Sequence, residues 1–462
     1  MIGLEDKELL KYCLDTALEY GADKARVTLN RSIEDLVATL NAEVDRITHC
    51  GDNSLSLALF ADGRYGTFST NKLDRESIRE FIAESISIVK AISPDECRVL
   101  PPPELCCTEA VTGDELDLCD SSWETTRPED LINAAIKACI FNEALPEEAS
   151  YSVISEEGEY SGSIYETLLM DTNRVCCLHR ETSFDYGVEI TIECGGDRYS
   201  GYWWDSSSRK SEVNPYLCGR KALEKAIAQI GSEAVESGSY TMVIDSEVAS
   251  RMVSPILRAL NGFAIQQNNS FLMDSLGKKL FPESMTIMDC PHIKGRTCSK
   301  LFDSEGVATT EHAIIERGVI KEYFINSYMS RKLGMPQTTE DATSPKLMPT
   351  IPGAGRDSIM KMCGSGILVT DFNGGNSNGV TGDFSYGLRK MSSGFQSSIL
   401  EIPSWMFLFK DGVAVRPVSE MLVTGNFLKL WDGFIASADD ARDCMSKLIP
   451  TLAFANVDFS GN

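Results

Sequence analysis

The sequence lacks long hydrophobic runs: nowhere do about 18 apolar residues follow one another, the length that a membrane-spanning helix requires. Its first residues are acidic and amphipathic, whereas a secretory signal begins with basic residues followed by an apolar segment. Apolar residues nevertheless make up 43% of the 462 residues, enough for two or three domains with buried cores. These features predict a folded, cytoplasmic protein without a membrane partner.

Basic residues are scarce relative to acidic ones. The chain has 43 Lys and Arg against 68 Asp and Glu, which gives a net charge of −25. Because a surface of this charge repels a phosphate backbone, we expect no nucleic-acid partner. The 15 cysteines include two adjacent pairs, Cys106–Cys107 and Cys176–Cys177, but no CxxC motif, so we expect free thiols in a reducing compartment.

The signatures of common catalytic sites are also missing. Histidine occurs four times, and no two histidines have the HExxH or HExxxH spacing of a helix-borne zinc site. Neither a GxSxG nucleophile elbow nor a GxxxxGK[ST] phosphate loop is present. Cys290, His292, Cys298 and His312 could supply metal ligands, but their spacing matches no common zinc motif. We therefore predict no catalytic residue and no metal ligand here, with an atypical Cys/His or carboxylate site as the alternative.

Hydrophobic periodicity predicts an α+β fold. Residues 4–20 and the segment after Asp74 have helical spacing, and short alternating runs between them, separated by turns such as Gly51–Asn53, predict an antiparallel meander. The same helix–meander–helix order follows later in the chain. Because the hairpin Ala61–Phe68 (ADGRYGTF) also resembles Gly195–Tyr202 (GGDRYSGY), we predict a structural duplication.

Composition divides the chain into four parts. The predicted parts are a first α+β repeat (1–95), an acidic linker or surface strap (96–130), a second α+β repeat (131–235) and a strand-rich C-terminal domain with one prominent helix (236–462). A protein with so many strands has edges to cover, and a two-fold dimer is the simplest way to cover them.

Glycine is concentrated in one stretch, Cys363–Gly387. This stretch predicts either a tight strand–loop–strand connection or a backbone-lined groove for an extended ligand. Acidic residues also occur in two glycine turns, FDSEG at 302–306 and TGDFS at 381–385, where they could fix the loops or hold a peptide backbone. The predicted substrate-binding residues are Asp303, Glu305, Asn373, Asp383 and Ser385.

Five ordered motifs carry a family resemblance. They are NSFLMDSLG (269–277), FDSEG (302–306), NSYMSRKLG (326–334), GDFSYG (382–387) and RPVSEMLVTGN (416–426). In this order they resemble the TldD/PmbA family, formerly called modulator of DNA gyrase, and specifically its PmbA (TldE) branch. Together with the upstream repeats, the resemblance extends over nearly the whole chain.

The resemblance implies a subunit without its own metal. In the TldD branch, an HExxxH helix and a cysteine near the C-terminus bind zinc, whereas the corresponding helix here, Arg251–Leu260, has neither histidine nor glutamate and contains Pro255. The resemblance relates Cys444 to the cysteine ligand, but one thiolate cannot form a three-ligand site. It thus implies no cofactor in this chain and zinc in a TldD-like metallopeptidase partner.

The implied substrates are short or unfolded polypeptides, held through extended-strand contacts. Without its partner, the chain is expected to form a homodimer. A protein-binding modulator of DNA gyrase is a further alternative. The chain departs from the family pattern at Leu388–Trp405, an insertion beside the expected groove.

Overall fold

The computed structural model describes residues 1–372, 374–388, 406–419 and 421–461. Over these residues the fold mixes helices and strands and has a strand-rich C-terminal region, as predicted. The N-terminal elements are α1 (Leu4–Glu19), β1 (Lys24–Leu40), β2 (Glu43–Ala61), β3 (Arg64–Thr70), α2 (Arg75–Ala91), α3 (Pro128–Ala138), β4 (Ser152–Asp171), β5 (Cys176–Cys194), β6 (Asp197–Ser207) and α4 (Pro215–Ile227).

The described N-terminal strands form one antiparallel sheet in the order β3-β2-β1-β4-β5-β6. Its order is symmetric about the β1–β4 pair, which runs from Arg26 opposite Asp171 to Leu40 opposite Glu157. This is the arrangement that a duplication would give, and the duplication itself stays a prediction. Helices α1 to α4 all cover the same face, because Val27, Leu29 and Val37 of β1 point toward them.

The strands are longer than their hydrophobic patterns suggest. The turn predicted at Gly51–Asn53 is wrong: these residues lie inside β2 and pair with Arg31, Ser32 and Ile33 of β1. The short runs predicted on each side of this turn are therefore parts of one continuous strand. Polar residues interrupt the pattern there because this part of the hairpin projects beyond the helices and is exposed on both faces.

Three buried carboxylates on the central strand β4 hold loops in place. Glu156 accepts the N–H groups of Ile140 and Phe141, Glu166 accepts that of Ile2, and Asp171 accepts those of Asn173 and Val175, all at 2.6–3.1 Å.. Burial raises the pKa of Glu156 and of Asp171 above the ordinary values. Such groups persist in a core only where hydrogen bonds offset the lost hydration.

The segment predicted as a strap, residues 96–130, follows the surface up to residue 127 with two short 3₁₀ turns, Pro103–Leu105 and Ser121–Thr125, and its last three residues are the start of α3. It runs along the part of β5 that β6 does not reach: Leu178 donates to Ala110 O at 2.8 Å and Thr182 donates to Leu118 O at 3.1 Å. The strap also pairs with the FDSEG segment, since Cys107 donates to Gly306 O at 2.9 Å. It therefore joins the N-terminal sheet to the C-terminal region.

The C-terminal region is a layered arrangement of strands around helix α5. Its helices are α5 (Ser250–Ala259), α6 (Gly262–Gln266), α7 (Ser327–Leu333), α8 (Arg356–Cys363) and α9 (Phe427–Asp432). Its strands are β7 (Gly238–Ile244), β8 (Ile287–Asp289), β9 (His312–Glu316), β10 (Val319–Ile320), β11 (Pro345–Leu347), β12 (Gly366–Val369), β13 (Asn376–Ser377), β14 (Asp383–Leu388), β15 (Met406–Lys410), β16 (Val413–Pro417), β17 (Met421–Asn426), β18 (Phe434–Ser437) and β19 (Leu452–Gly461).

The larger described sheet has the order β13-β14-β17-β19-β7-β12-β15-β16, with β18 paired to β19, and a smaller one has the order β10-β9-β8-β11. Helix α5 lies in the core between them, where Met252, Val253 and Ile256 are fully buried.

The insertion predicted at Leu388–Trp405 lies outside the described residues from 389 onward. None of the described helices is long and apolar enough to cross a membrane.

Gly201 of β6 provides a test of the packing between the sheet and α4. A Cβ atom added at Gly201 would overlap Ala222 O and lie 2.6 Å from Ala226 N, both backbone atoms of α4. Gly201→Ala should therefore lower the free energy of unfolding by about 1–3 kcal/mol or more, as measured by urea denaturation. Gly51→Ala, in the exposed part of β2 with only Ser32 O within 4 Å of the added atom, at 3.9 Å, is the matched control and should change stability by less than about 0.5 kcal/mol.

Candidate functional site

Helix α5 is the element that the family resemblance relates to a zinc-binding helix. Pro255 lies inside it and has no N–H to donate to the carbonyl of Arg251, one turn earlier. The hydroxyl of Tyr386, from the GDFSYG motif on β14, donates to this carbonyl at 3.4 Å instead. The Trp431 indole N–H donates to the next carbonyl, that of Met252, at 3.3 Å. Aromatic side chains from other elements thus satisfy the backbone around the proline.

The side chain of Arg251 points to the glycine-dense stretch. Its guanidinium donates to Phe372 O at 3.4 Å and lies 5.8 Å from the centre of the Phe372 ring. The Phe372 ring is in turn 5.2 Å from that of Tyr386. The Arg251 guanidinium, the Phe372 carbonyl and the rings of Phe372 and Tyr386 therefore lie together beside α5.

The family motifs converge beside this helix. Phe384 stacks on Tyr386 at 5.4 Å and contacts Phe427 at 4.8 Å, and Phe427 stacks on Phe271 at 6.1 Å. This aromatic row joins GDFSYG, the residue that follows RPVSEMLVTGN, and NSFLMDSLG. Gly382 is required within it, because its φ is +75° and an added Cβ would lie 3.0 Å from the Phe271 ring.

Two predicted binding residues, Asp383 and Ser385, lie on β14, where they alternate with Phe384 and Tyr386 and so face away from the aromatic row. The carboxylate of Asp383 accepts the Thr381 hydroxyl at 2.7 Å and the Asn426 amide at 3.0 Å, and these bonds hold its pKa below the ordinary value. Ser385 is exposed and lies between Asn376 and Thr424 on the neighbouring strands. Asn373 lies outside the described residues.

Asp303 and Glu305 fix local structure. Asp303 accepts the N–H groups of Glu305 and Val307 at 2.9 Å and that of Glu340 at 3.1 Å. Glu305 accepts the N–H and hydroxyl of Ser327, at the start of α7, at 2.8 and 2.5 Å. Among the described residues, no hydrogen bond connects this pair with Asp383 or Ser385. Their role in substrate binding stays a prediction.

The cysteine and histidine cluster is not arranged as a metal site. His292 shares a hydrogen bond of 2.9 Å with the Thr309 hydroxyl, while Nε2 of His312 lies 3.3 Å from the Glu322 carboxylate. Within the described ranges, no group of three or more His, Cys, Asp or Glu side chains could hold a metal ion. Cys444 lines a separate cavity of about 630 Å³ with Arg296 and Arg442, and burial raises its pKa.

Comparison with known proteins defines the class. A family model described as the PmbA/TldA metallopeptidase C-terminal domain matches residues 237–461. A solved structure from Bacteroides thetaiotaomicron, described as a candidate modulator of DNA gyrase, is 35% identical; the alignment covers 100% of both chains and the TM-score is 0.90. The chain therefore belongs to the PmbA/TldD metallopeptidase family.

Several relatives match over nearly the whole chain. Metalloprotease PmbA of Escherichia coli O157:H7 is 24% identical over 97% of this chain and 96% of its own length. TldE from Thermococcus kodakarensis, 18% identical, covers 98% of this chain and 100% of its own with a TM-score of 0.81, which shows a shared fold. A TldD homolog of Buchnera aphidicola (strain APS) is 21% identical over 63% of this chain. The predicted resemblance to the PmbA branch is thereby confirmed.

The residues of α5 do not fit the zinc ion that a metallopeptidase family implies. Its polar side chains are two serines and two arginines, which include no imidazole, thiolate or carboxylate. The positively charged guanidinium of Arg251 would repel a metal cation bound at this helix. We therefore derive no metal-dependent step for this chain.

The raised pKa of Asp303 predicts a pH-dependent stability. Burial, and next the charge of Glu340, raise this pKa to about 7, so the folded protein holds a proton that the unfolded chain releases near its ordinary value of 3.8. The contribution of Asp303 is therefore complete below pH 4 and is lost as the pH rises to about 7.

Asp303→Asn should reduce this fall in unfolding free energy between pH 4 and 7, measured by urea denaturation at several pH values. Glu96→Gln, which changes an exposed carboxylate, should leave the profile unchanged. A variant profile parallel to that of the wild type at every pH would contradict the assignment.

Proposed function

We propose that this chain is the non-catalytic, TldE-like subunit of a two-component zinc peptidase, and that its partner is a TldD-type subunit carrying HExxxH. The observation that carries the proposal is the chemistry of α5. Pro255 and Arg251 lie on a helix that carries no metal-ligating side chain. Tyr386 and Trp431 donate hydrogen bonds to the helix carbonyls next to this proline. The similarity to PmbA and TldE over nearly the whole chain supports this role.

The contribution of this subunit would be a surface that holds a polypeptide. On the face opposite the helices, the N-terminal sheet has a cavity of about 710 Å³ that crosses from β2 to β6. Its lining combines carboxylates and aromatic rings, among them Glu157, Glu189, Tyr202 and Trp204. An open surface of this kind suits an extended chain better than a compact small molecule.

The strand edge of β2 favours assembly. Strand β3 pairs with β2 only from Leu55 onward, so residues 43–53 have no partner on that side among the described strands and are exposed. Unpaired strand edges readily pair with another chain. In the absence of a TldD-type subunit, we expect this edge to support a homodimer.

The catalytic assignment is tested by expressing the chain with the HExxxH-bearing relative from the same genome. The pair should bind zinc and cleave an unfolded peptide, and a chelator should stop cleavage. The chain alone should do neither. Zinc held in a 1:1 ratio by the isolated chain, together with chelator-sensitive hydrolysis, would disprove the proposal.

The edge is tested with Ile47→Lys, which puts a charge at an exposed apolar position of β2. The variant should shift the isolated protein toward monomer in sedimentation velocity. Ile88→Lys, on the exposed side of α2, should not. Equal behaviour of the two variants would place any dimer interface elsewhere.

Contact with DNA gyrase is the second candidate, favoured by the description of the Bacteroides thetaiotaomicron relative. With a net charge of −25, the contact would be with protein and not with DNA. Recovery of gyrase with the tagged chain after nuclease treatment would support it.

A further inference from the structure

Two adjacent cysteine pairs meet where the strap crosses β5. Cys106 and Cys107 lie on the strap, and Cys176 and Cys177 begin β5. Cys107 and Cys177 are 5% and 0% exposed and belong to one small apolar cluster, whereas Cys176 is exposed. The proposed peptidase role uses none of these thiols.

Within this cluster, Cys107 and Cys177 contact each other directly. The Cys177 thiol donates to the carbonyl oxygen of Cys107 at 3.2 Å, and both side chains belong to the same buried cluster. Flanking backbone bonds fix this contact, because Cys107 donates to Gly306 O and Leu178 donates to Ala110 O at 2.9 and 2.8 Å. Side chains separated by 70 positions in the sequence are therefore held together.

The electrostatics give the two sulfurs different roles. The Cys177 side chain, followed by the backbone N–H groups of Glu109 and Ala110, lowers the pKa of Cys107, while the Cys107 side chain and then burial raise the pKa of Cys177. In contrast, burial and the nearby Asp171 raise the pKa of Cys106 to about 11. The thiolate is the attacking species in disulfide exchange, so Cys107 is the favoured nucleophile.

We propose that Cys107 and Cys177 form a reversible disulfide-forming site whose reactant is a low-molecular-weight disulfide such as oxidised glutathione. The Cys107 thiolate attacks one sulfur, the S–S bond of the reactant breaks, and one small thiolate leaves. Cys177 then gives its proton to solvent and attacks the Cys107 sulfur, which releases the second small thiolate. Two electrons pass from the cysteine pair to the reactant, which becomes two thiols.

The bond would fasten the strap to the sheet. The strap has little secondary structure of its own, and a segment of this kind opens more easily than the sheet and admits the reactant. The disulfide would remove that freedom. Because Leu105 also accepts the N–H of Ala308 at 2.9 Å, it would secure the connection to the FDSEG segment as well.

The experiment uses the full-length protein, incubated with oxidised glutathione at pH 7.5 and mapped by mass spectrometry without reduction. The expected product is a Cys107–Cys177 cross-link that dithiothreitol reverses. It should raise the midpoint of thermal unfolding by roughly 2–4 °C. The exposed Cys50 reports that the reagent is active, since it should acquire glutathione.

Variants separate this site from its neighbours. Cys177→Ala should stop the reaction at a glutathione adduct on Cys107, and Cys107→Ser should abolish the cross-link. Cys106→Ser and Cys176→Ser are matched controls and should retain it. A main product that joins Cys106 to Cys176, or intact Cys107 and Cys177 thiols in a sample whose Cys50 has reacted, would overturn the proposal.

Discussion

Antiparallel pairing between β1 and β4 is the interaction on which the N-terminal half depends. It joins two groups of strands that are otherwise separate along the chain, and each group brings its own pair of helices to the common face. The carboxylates of β4 then bind the backbone of the N-terminal residues and of two loops from inside the sheet. Because burial of a carboxylate is costly unless its oxygens are bonded, each loop is restricted to the conformation that presents its N–H groups.

The helices could be predicted from the sequence, and the strand lengths could not. Residues 4–20 and those after Asp74 have a complete apolar stripe, and the Asp74 side chain caps α2 as its position indicates. A strand pairs through its backbone, so polar stretches such as Gly51–Asn53 remain inside β2 although they break the alternation. Hydrophobic alternation detects the buried part of such a strand and does not show that pairing continues through its exposed part.

The candidate site was predictable in its motifs but not in its contacts. The motif order indicated the family, and the absence of metal ligands from α5 was readable from RMVSPILRAL. The bond between Tyr386 and the carbonyl of Arg251 joins residues 135 positions apart. Only Pro255, which removes a helix donor, signals that some partner is needed. Similarly, the adjacent cysteines were visible, but which of them meet depends on how the strap lies on β5.

The strap has a consequence for how this architecture can vary. Its residues are covalently part of the N-terminal half, yet Leu105 and Cys107 pair with the backbone of Gly306 and Ala308. Consider a chimera that joins residues 1–236 of this chain to the C-terminal region of a distant relative. It would lose the pairing between the strap and the FDSEG segment unless the relative had a loop of matching backbone geometry. Evolutionary exchange at that boundary is therefore constrained by a contact that lies far from the junction in sequence.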